Sequence, residues 1–329
     1  MTLPKHTVTI ATRGSTLALW QAHHVQHLLL QECGLSSRLL VVKTTGDRIQ
    51  NRFLHDIGGK GLFIREIEQA LVEGEADIGV HSLKDLPACI DPTFALGAYL
   101  PRGASGDVLV VSDAHIAEKL SGFGAVGPKA LQAAGAFTVG TGSLRRRNLL
   151  AQASPHIEVV PIRGNVDTRM KRLQEGAWQG LVVAAAALDR LPPVSGLFTF
   201  LLDPDWFTPS ACQGTLVIET LCESPIRAHL GALNDAVAQR GAEIERGVLA
   251  RLGADCTLPV GIHYTGDLAG GFVSTCVLAP DGSESRTRHP VREPDTCEEI
   301  AETVLEKLCQ HGLEKVYHQL GLAFPPCGK

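Results

Sequence analysis

The stretch of sequence that decides the fold is Val80-His81-Ser82-Leu83-Lys84-Asp85-Leu86-Pro87. The segment just before it, 77–80, predicts a short apolar strand, and Pro87 prevents a helix from continuing through the stretch. Histidine, serine, lysine and aspartate therefore follow the carboxyl end of one strand, which is where open α/β sheets bind their ligands. The plainer interpretation is a solvated loop in which Lys84 and Asp85 form a weak surface ion pair.

The composition is typical of a globular protein with more than one domain. The chain has 329 residues, is 44% hydrophobic and has a net charge of −5. No apolar run reaches membrane-spanning length, and the acidic total argues against a nucleic-acid partner. The nine cysteines form no C-x-x-C pair, and the segment after Met1 does not resemble a signal peptide. We therefore expect no disulfide framework, no zinc ribbon, no membrane partner and a cytoplasmic location.

Positive charge is concentrated in one part of this acidic chain. Between Thr138 and Glu175 there are seven Lys or Arg residues and three Asp or Glu residues. This enclave indicates a binding site for a polyanion smaller than DNA. We expect no metal site, because His23 and His27, four residues apart on a predicted helix, lack the glutamate of a metalloprotease motif.

Two parts of the chain repeat one pattern of strand, small-residue turn and helix. In the first, the strand 8–12 is followed by Arg13 and by Ser15 as the expected N-cap. In the second, the strand 137–141 is followed by Ser143. A helix N-terminus attracts anions, so the repeat predicts two α/β lobes with mainly parallel sheets that offer anion sites to a shared cleft.

Domain boundaries are predicted where the composition changes. Segment 100–106 is the expected crossing out of the first lobe, and 204–214 is the return, followed by a strand that rejoins that lobe. A smaller α+β domain follows, with a hairpin signal at Asp281-Gly282. The predicted domains are 1–102 with 207–228, then 103–206, and then 229–329. A glycine-rich segment, 58–61, is not a Walker A loop but suits a mobile lid that carries Lys60.

Seven motifs in register resemble the porphobilinogen deaminase (hydroxymethylbilane synthase) family. They extend from the first strand to beyond Gly261, nearly the whole chain. They are Ile10-Ala11-Thr12-Arg13-x-Ser15 with Leu17 to Ala22, Gly58-Gly59-Lys60-Gly61-Leu62-Phe63, His81-Ser82-x-Lys84-Asp85-x-Pro87, Gly140-Thr141-x-Ser143-Leu144-Arg145-Arg146, Arg163-Gly164-Asn165-Val166-x-Thr168-Arg169, Gln213-Gly214, and Cys256-x-x-Pro259-Val260-Gly261.

The resemblance implies two lobes like those of periplasmic binding proteins, and a third domain that carries a cysteine. It also implies a dipyrromethane cofactor joined through a thioether to Cys256. Four porphobilinogen molecules would be deaminated and added to it head to tail, and the linear tetrapyrrole would be released by hydrolysis. Asp85 is the expected catalytic carboxylate, because it can stabilise the cationic pyrroles that form when ammonia leaves.

The resemblance also implies which residues bind the carboxylates of the cofactor and the growing chain. Arginine suits this role because its planar guanidinium binds carboxylates bidentately. The expected binding residues are Arg13, Ser15, Lys60, Phe63, Ser82, Lys84, Thr141, Ser143, Arg145, Arg146, Arg163, Arg169, Arg190 and Gln213. We expect replacement of Arg145 or Arg146 by leucine to impair elongation more than folding, and we expect the enzyme to be a monomer.

The sequence departs from the family pattern at several positions. These are Gly14, Thr45, Gly142, Cys212, Asp255 and the crossing 102–107. None of them removes Asp85 or Cys256, so we expect an active enzyme. The alternative is a two-lobed protein that binds small anions without catalysis, which would leave the third domain and its cysteine unexplained.

Overall fold

The computed structural model describes residues 7–43, 64–254 and 258–324. Four positions singled out above, Thr45, Lys60, Phe63 and Cys256, lie outside the described residues, as does Asp255. The chain divides into two compact units, Met1–Gly103 with Gly214–Gln239, and Ala104–Gln213 with Arg240–Lys329. The division into three domains at the boundaries given above stays a prediction.

Strands and helices alternate along most of the chain. The described strands are β1 Val8–Arg13, β2 Ser37–Val42, β3 Ile78–Ser82, β4 Phe94–Tyr99, β5 Asp107–Val111, β6 Phe137–Thr141, β7 Ile157–Pro161, β8 Gly180–Ala184, β9 Phe198–Leu201, β10 Leu216–Leu221, β11 Val260–Gly266, β12 Gly270–Leu278 and β13 Glu284–Arg292. The described α-helices are α1 Thr16–Cys33, α2 Arg65–Val72, α3 Ala114–Ser121, α4 Pro128–Ala134, α5 Leu144–Ala153, α6 Val166–Gln174, α7 Ala185–Arg190, α8 Arg227–Leu230, α9 Ala236–Arg251, α10 Cys297–Gln310 and α11 Leu313–Leu320.

The first unit is built on a five-stranded sheet with the order β2-β1-β3-β10-β4. Strand β1 runs parallel to β2 and β3, and β10 runs antiparallel to β3 and β4. Four of the five strands therefore point in one direction. Strand β10, which follows the return crossing, lies inside this sheet, so the prediction that it rejoins the first lobe is confirmed.

The second unit repeats this plan in a five-stranded sheet with the order β7-β6-β8-β5-β9. Strand β6 runs parallel to β7 and β8, and β5 runs antiparallel to β8 and β9. Four strands again share one direction. The predicted fold class, two similar α/β lobes with mainly parallel sheets, is confirmed.

The same unit contains an antiparallel sheet with the order β11-β12-β13. Helices α10 and α11 pack against it. Gly282 makes the turn between β12 and β13 with a φ of 88°, a left-handed conformation that favours glycine. Cys276 and Leu278 of β12 share an apolar core with Leu149 and Phe207. The C-terminal region is therefore α+β, as predicted.

Local signals account for the ends of α1. The Ser15 hydroxyl accepts a hydrogen bond from the N–H of Ala18 at 3.3 Å, which caps the first turn. Gly34 ends the helix with a φ of 65°. The sequence predicted Ser15 as this cap, and the cap places it at the carboxyl end of β1.

Among the described residues, six cysteines have free thiols and one forms a disulfide bond. The free ones are Cys33, Cys89, Cys212, Cys222, Cys276 and Cys297. Cys309 is disulfide-bonded. The expectation of no disulfide framework stays a prediction. No helix within 7–43, 64–254 and 258–324 is both long and apolar enough to cross a membrane.

Candidate active site and anion-binding residues

The first unit brings several predicted site residues to one edge of its sheet. Strands β1 and β3 are parallel neighbours, so Arg13 at the end of β1 and Ser82 at the end of β3 lie at the same edge. Gln21 of α1 donates from Nε2 to the Ser82 hydroxyl at 2.9 Å. This bond ties the helix that Ser15 caps to the strand that leads to Asp85.

Asp85 lies in a single 3₁₀ turn, Leu83–Asp85, that directly follows β3. Leu83 is 1% exposed and Leu86 is 5% exposed, so apolar anchors hold both ends of the turn. The Leu83 N–H also donates to the Thr215 carbonyl at 3.0 Å. Lys84 and Asp85 are exposed between these anchors. The backbone is fixed while the carboxylate remains accessible to a ligand.

A buried acid and a buried imidazole lie beneath this turn. His81 Nε2 approaches Glu219 Oε2 to 2.9 Å, and the two side chains are 6% and 0% exposed. They are diagonal neighbours on antiparallel strands, since Gly79 pairs with Glu219 and His81 pairs with Val217. Burial and the negative charge of Glu219 raise the pKa of Glu68 above its usual range. Sequence reasoning noted His81 but missed Glu219. The feature that could have indicated Glu219 is a single acidic residue inside the apolar strand 216–221.

In the second unit, the hydroxyls of Thr141 and Ser143 mark the step from β6 to α5. Thr141 Oγ1 accepts from the Ser143 N–H at 3.2 Å, and Ser143 Oγ accepts from the Arg146 N–H at 3.4 Å. Thr141 is buried and Ser143 is half-buried. The two predicted hydroxyls are therefore at the N-terminus of a helix, where the helix dipole favours an anion.

Arg145 and Arg146 converge on the buried carboxylate of Asp107. Arg145 Nη2 donates to Asp107 Oδ2 at 2.8 Å, and Arg146 donates to Oδ1 from Nη2 at 2.7 Å and from Nε at 3.0 Å. The three residues are 4%, 8% and 1% exposed. Burial opposes ionisation of Asp107, but the two guanidinium groups outweigh it and lower its pKa to about 2.

Backbone carbonyls accept further hydrogen bonds from these arginines. Arg145 Nη1 donates to the Thr208 carbonyl at 2.8 Å, and Arg146 Nη1 donates to the Val182 carbonyl at 2.9 Å. Both side chains therefore tie α5 to the sheet of the second unit. That they bind the carboxylates of a ligand stays a prediction. In this structure the carboxylate that both arginines bind is Asp107.

Gln213 joins the same network. Its Nε2 donates to the carbonyls of Ser105 and Gly106, at 2.8 and 3.0 Å, and to Asp107 Oδ1 at 3.0 Å. The preceding residue, Cys212, has a φ of 60°, which is unusual for a residue other than glycine, and its N–H donates to the buried carboxylate of Glu245. Gln213 therefore ties Ser105 and Gly106, which lead into β5, to the buried Asp107 carboxylate.

Arg169 lies close to two other predicted arginines, Arg146 and Arg163. Arg169 Nε donates to the Gly164 carbonyl at 2.8 Å. Burial and the charges of Arg146 and Arg163 lower the pKa of Arg169 to about 10. Burial also lowers the pKa of Arg190, at the end of α7, although Asp189 opposes this. Positive charge crowded around Arg169 favours an anionic ligand, so Arg163 and Arg169 fit the carboxylates that the sequence predicts as their partners.

Asp107 is the residue of the second unit that sequence reasoning missed. Its signal was a carboxylate at the head of the apolar strand Asp107–Val111, since a carboxylate is rarely fully buried unless it is paired. No group of three or more histidine, cysteine, aspartate or glutamate residues within 7–43, 64–254 and 258–324 is arranged to hold a metal ion.

Two mixed sheets of matching order, with hydroxyl and cationic side chains at their strand ends, define a two-lobed α/β protein with an added α+β domain. A sequence model of the family described as "Porphobilinogen deaminase, dipyromethane cofactor binding domain" matches residues 8–225. The chain belongs to the porphobilinogen deaminase family, as its motifs predicted.

Individual relatives extend over almost the whole chain. It is 38% identical over 316 residues to the porphobilinogen deaminase of Bordetella parapertussis, covering 95% of this chain and 96% of that one. It is 36% identical over 330 residues to that of Paraburkholderia phytofirmans, covering 98% and 92%. A solved structure, the periplasmic VFT2 domain of Bordetella pertussis BvgS, covers 69% of this chain and 86% of its own, with 16% identity and a TM-score of 0.38. That likeness is too weak to support an argument.

Proposed function

We propose that this chain is an active porphobilinogen deaminase that joins four porphobilinogen molecules head to tail and then releases the linear tetrapyrrole by hydrolysis. Membership of the family and the relatives' coverage of nearly the whole chain support this activity. The observation that carries it is the placement of Asp85, an exposed carboxylate on a turn anchored at both ends.

Asp85 is the proposed catalytic residue. Loss of ammonia from the aminomethyl group of porphobilinogen leaves an electron-poor cationic pyrrole. A carboxylate fixed beside it accepts a hydrogen bond from the pyrrole N–H and stabilises the positive charge. The same carboxylate can move the proton that restores the aromatic ring after each addition. Because the turn is anchored, little reorganisation is needed as the charge develops.

The proposed cofactor is a dipyrromethane joined through a thioether to Cys256. It would supply the pyrrole end to which each new unit is added. Its acetate and propionate groups need cationic partners, and the positive charge crowded around Arg169 has the required sign. Arg163, Arg169, Arg190 and the Ser143 hydroxyl would hold these carboxylates in the second unit.

Residues of the first unit would bind the substrate beside Asp85. Arg13 and Lys84 supply positive charge, and Ser15 and Ser82 supply hydroxyls, at the edge where β1 and β3 end. Lys60 and Phe63, from the glycine-rich segment, belong to the same proposal. We also propose the domain boundaries given above, a monomeric state and a cytoplasmic location. We propose no nucleic-acid, membrane or metal partner.

The test is a comparison of two carboxylate variants from the first unit. Asp85→Asn removes the proposed catalytic charge, and Glu75→Gln removes an exposed carboxylate ahead of β3. We expect Asp85→Asn to lose about 10²–10³-fold in turnover of porphobilinogen, the effect of removing one group that stabilises a developing charge. Glu75→Gln should match the wild type, and both should melt at the wild-type temperature. Wild-type turnover in Asp85→Asn would contradict the proposal.

Absorbance separates this proposal from a protein that binds anions without catalysis. An aldehyde reagent specific for pyrroles should give a coloured product with the freshly purified wild-type protein, and none with Cys256→Ala. An uncoloured wild-type preparation that still bound anions would favour the rival function.

A further inference from the structure

The end of β3, which leads into the turn of Asp85, has a neighbouring strand on one side only. In the part of the chain that the structure describes, β1 pairs with β3 at Ile78 and Gly79 and no further. The last three residues of β3, 80–82, pair with β10 alone. A segment with few backbone partners opens more easily than the centre of a sheet, so side-chain contacts decide how firmly this strand end is held.

A side-chain contact holds this strand end on each face of the sheet. Successive residues of a strand point to opposite faces, so His81 and Ser82 lie on different faces. On the face of α1, Gln21 donates to the Ser82 hydroxyl at 2.9 Å. On the face of α2, His81 Nε2 lies 2.9 Å from Glu219 Oε2. The first contact ties β3 to a helix, and the second ties it to β10.

Glu219 depends on His81 for an opposite charge. The Glu219 side chain is 0% exposed, and apart from this contact neither of its carboxylate oxygens has a hydrogen bond to a described residue. A second acid, Glu68 of α2, is close, because burial and the charge of Glu219 raise its pKa while the charge of His81 lowers it. A buried carboxylate that loses its partner is costly, so the pair resists separation of β3 from β10.

We propose that Glu219 is a positioning residue for Asp85 and that it acts through His81. The inference rests on the proposed function, since it takes Asp85 as the catalytic carboxylate. The turn begins at Leu83, and only Ser82 separates it from His81. Fixing β3 as far as His81 therefore fixes the point from which the turn starts. A reacting group displaced by about 1 Å can cost about 100-fold in rate, so a contact that never touches substrate can control turnover.

The test compares two substitutions at Glu219 in the full-length protein. Glu219→Leu cannot pair with His81, whereas Glu219→Gln keeps an amide that hydrogen-bonds to the imidazole. We expect Glu219→Leu to lower kcat for porphobilinogen by about tenfold or more, and Glu219→Gln to stay within about threefold of the wild type. Turnover is expressed per molecule that carries the cofactor, which is counted by intact mass.

Two further variants guard against a general loss of stability. Ile67→Val is the matched control, because Ile67 is 1% exposed and a Cβ at Gly79 would contact both Ile67 Cγ2 and His81 Nε2. This variant should melt at a lower temperature than the wild type but keep its kcat. His81→Leu removes the same contact from the side of β3 and should lower kcat as Glu219→Leu does, which keeps the test decisive if Glu219→Leu does not fold.

A double-substitution cycle with Asp85→Asn separates positioning from damage to the fold. If Glu219 acts through Asp85, adding Glu219→Leu should lower the residual turnover of Asp85→Asn by less than about twofold. A general defect of the folded protein would lower that residual turnover as much as it lowers the turnover of the wild type.

Four results would overturn the inference. These are wild-type kcat in both leucine variants, an equal loss of kcat in Ile67→Val, additive losses in the double variant, and failure of both leucine variants to fold. The last would mean that the pair serves the stability of the sheet and not the placement of Asp85. Failure of the proposed function is a different result, because it would appear as wild-type turnover in Asp85→Asn alone.

Discussion

Replacing Asp107 with asparagine should destabilise the second unit by about 3–5 kcal/mol at neutral pH. The variant would leave the guanidinium groups of Arg145 and Arg146 buried, at 4% and 8% exposure, without the carboxylate that they share. A folded-state pKa of about 2, against 3.8 in the unfolded chain, assigns about 2 kcal/mol of this to ionisation of Asp107 alone. The remainder is the cost of two buried cations that lose their partner.

The pH dependence of this effect has a definite sign. Because folding lowers the pKa of Asp107, its contribution to stability is complete above the unfolded pKa and is lost as the pH falls from about 4 toward 2. The difference in unfolding free energy between the wild type and Asp107→Asn should therefore shrink over that range and stay constant above it.

Urea unfolding followed by tryptophan fluorescence measures this difference. In a Trp20→Phe background the remaining tryptophans, Trp178 and Trp206, both lie in the second unit. Glu158→Gln, at an exposed carboxylate of β7, is the matched control and should change stability by less than about 0.5 kcal/mol. If Asp107→Asn were no less stable than Glu158→Gln, the reasoning from the buried ion pair would be refuted.

Two further predictions follow from close packing and burial. A Cβ at Gly79 would lie 2.6 Å from Ile67 Cγ2, so Gly79→Ala should destabilise the first unit by about 1–3 kcal/mol. Gly122→Ala is the control, because a Cβ at Gly122 meets open space. Equal melting temperatures for the two variants would contradict this prediction. Burial raises the pKa of the Cys276 thiol to about 12. Iodoacetamide should therefore modify exposed Cys89 in the native protein, and Cys276 only after unfolding. Alkylation of Cys276 in the native protein, detected by peptide mapping, would contradict its buried position.

Local sequence signals were sufficient for the elements that carry the candidate site. Ser15 caps the start of α1 and Gly34 ends it, and the apolar residues before Val80 form β3. Each signal depends on interactions within a few residues. The repeat of strand, turn and helix at Ser143 then predicted a second lobe, and the second sheet confirms it.

Long-range pairing could not be predicted in the same way. Asp107 meets Arg145 and Arg146 across 38 and 39 residues, and in the sequence it resembles an ordinary residue that begins a strand. The expectation that leucine at either arginine would impair elongation more than folding took both for ligand-binding side chains. Their burial against Asp107 predicts a loss of folding stability as well, because each leucine would remove one of the two cations that pair with this buried carboxylate. Which of the two effects is larger stays a prediction.

The motifs in the sequence were enough to predict the family. The hydrogen-bond partners within the site became known only from the fold. Gln21 and Ser82 lie 61 residues apart, and their hydrogen bond depends on the packing of α1 against β3. Glu219 reaches His81 because the return strand runs antiparallel beside β3. The sequence predicted that this strand rejoins the first sheet, but it carried no signal for its direction or register.

The most direct test of the central claim is the intact mass of freshly purified protein. The wild type should exceed the mass of its sequence, 35.1 kDa, by one dipyrromethane unit. Cys256→Ala should lose this excess, while Cys89→Ala, at an exposed thiol, should keep it. An active wild-type preparation at the mass of its sequence, or an excess that persists in Cys256→Ala, would contradict a cofactor tethered to Cys256.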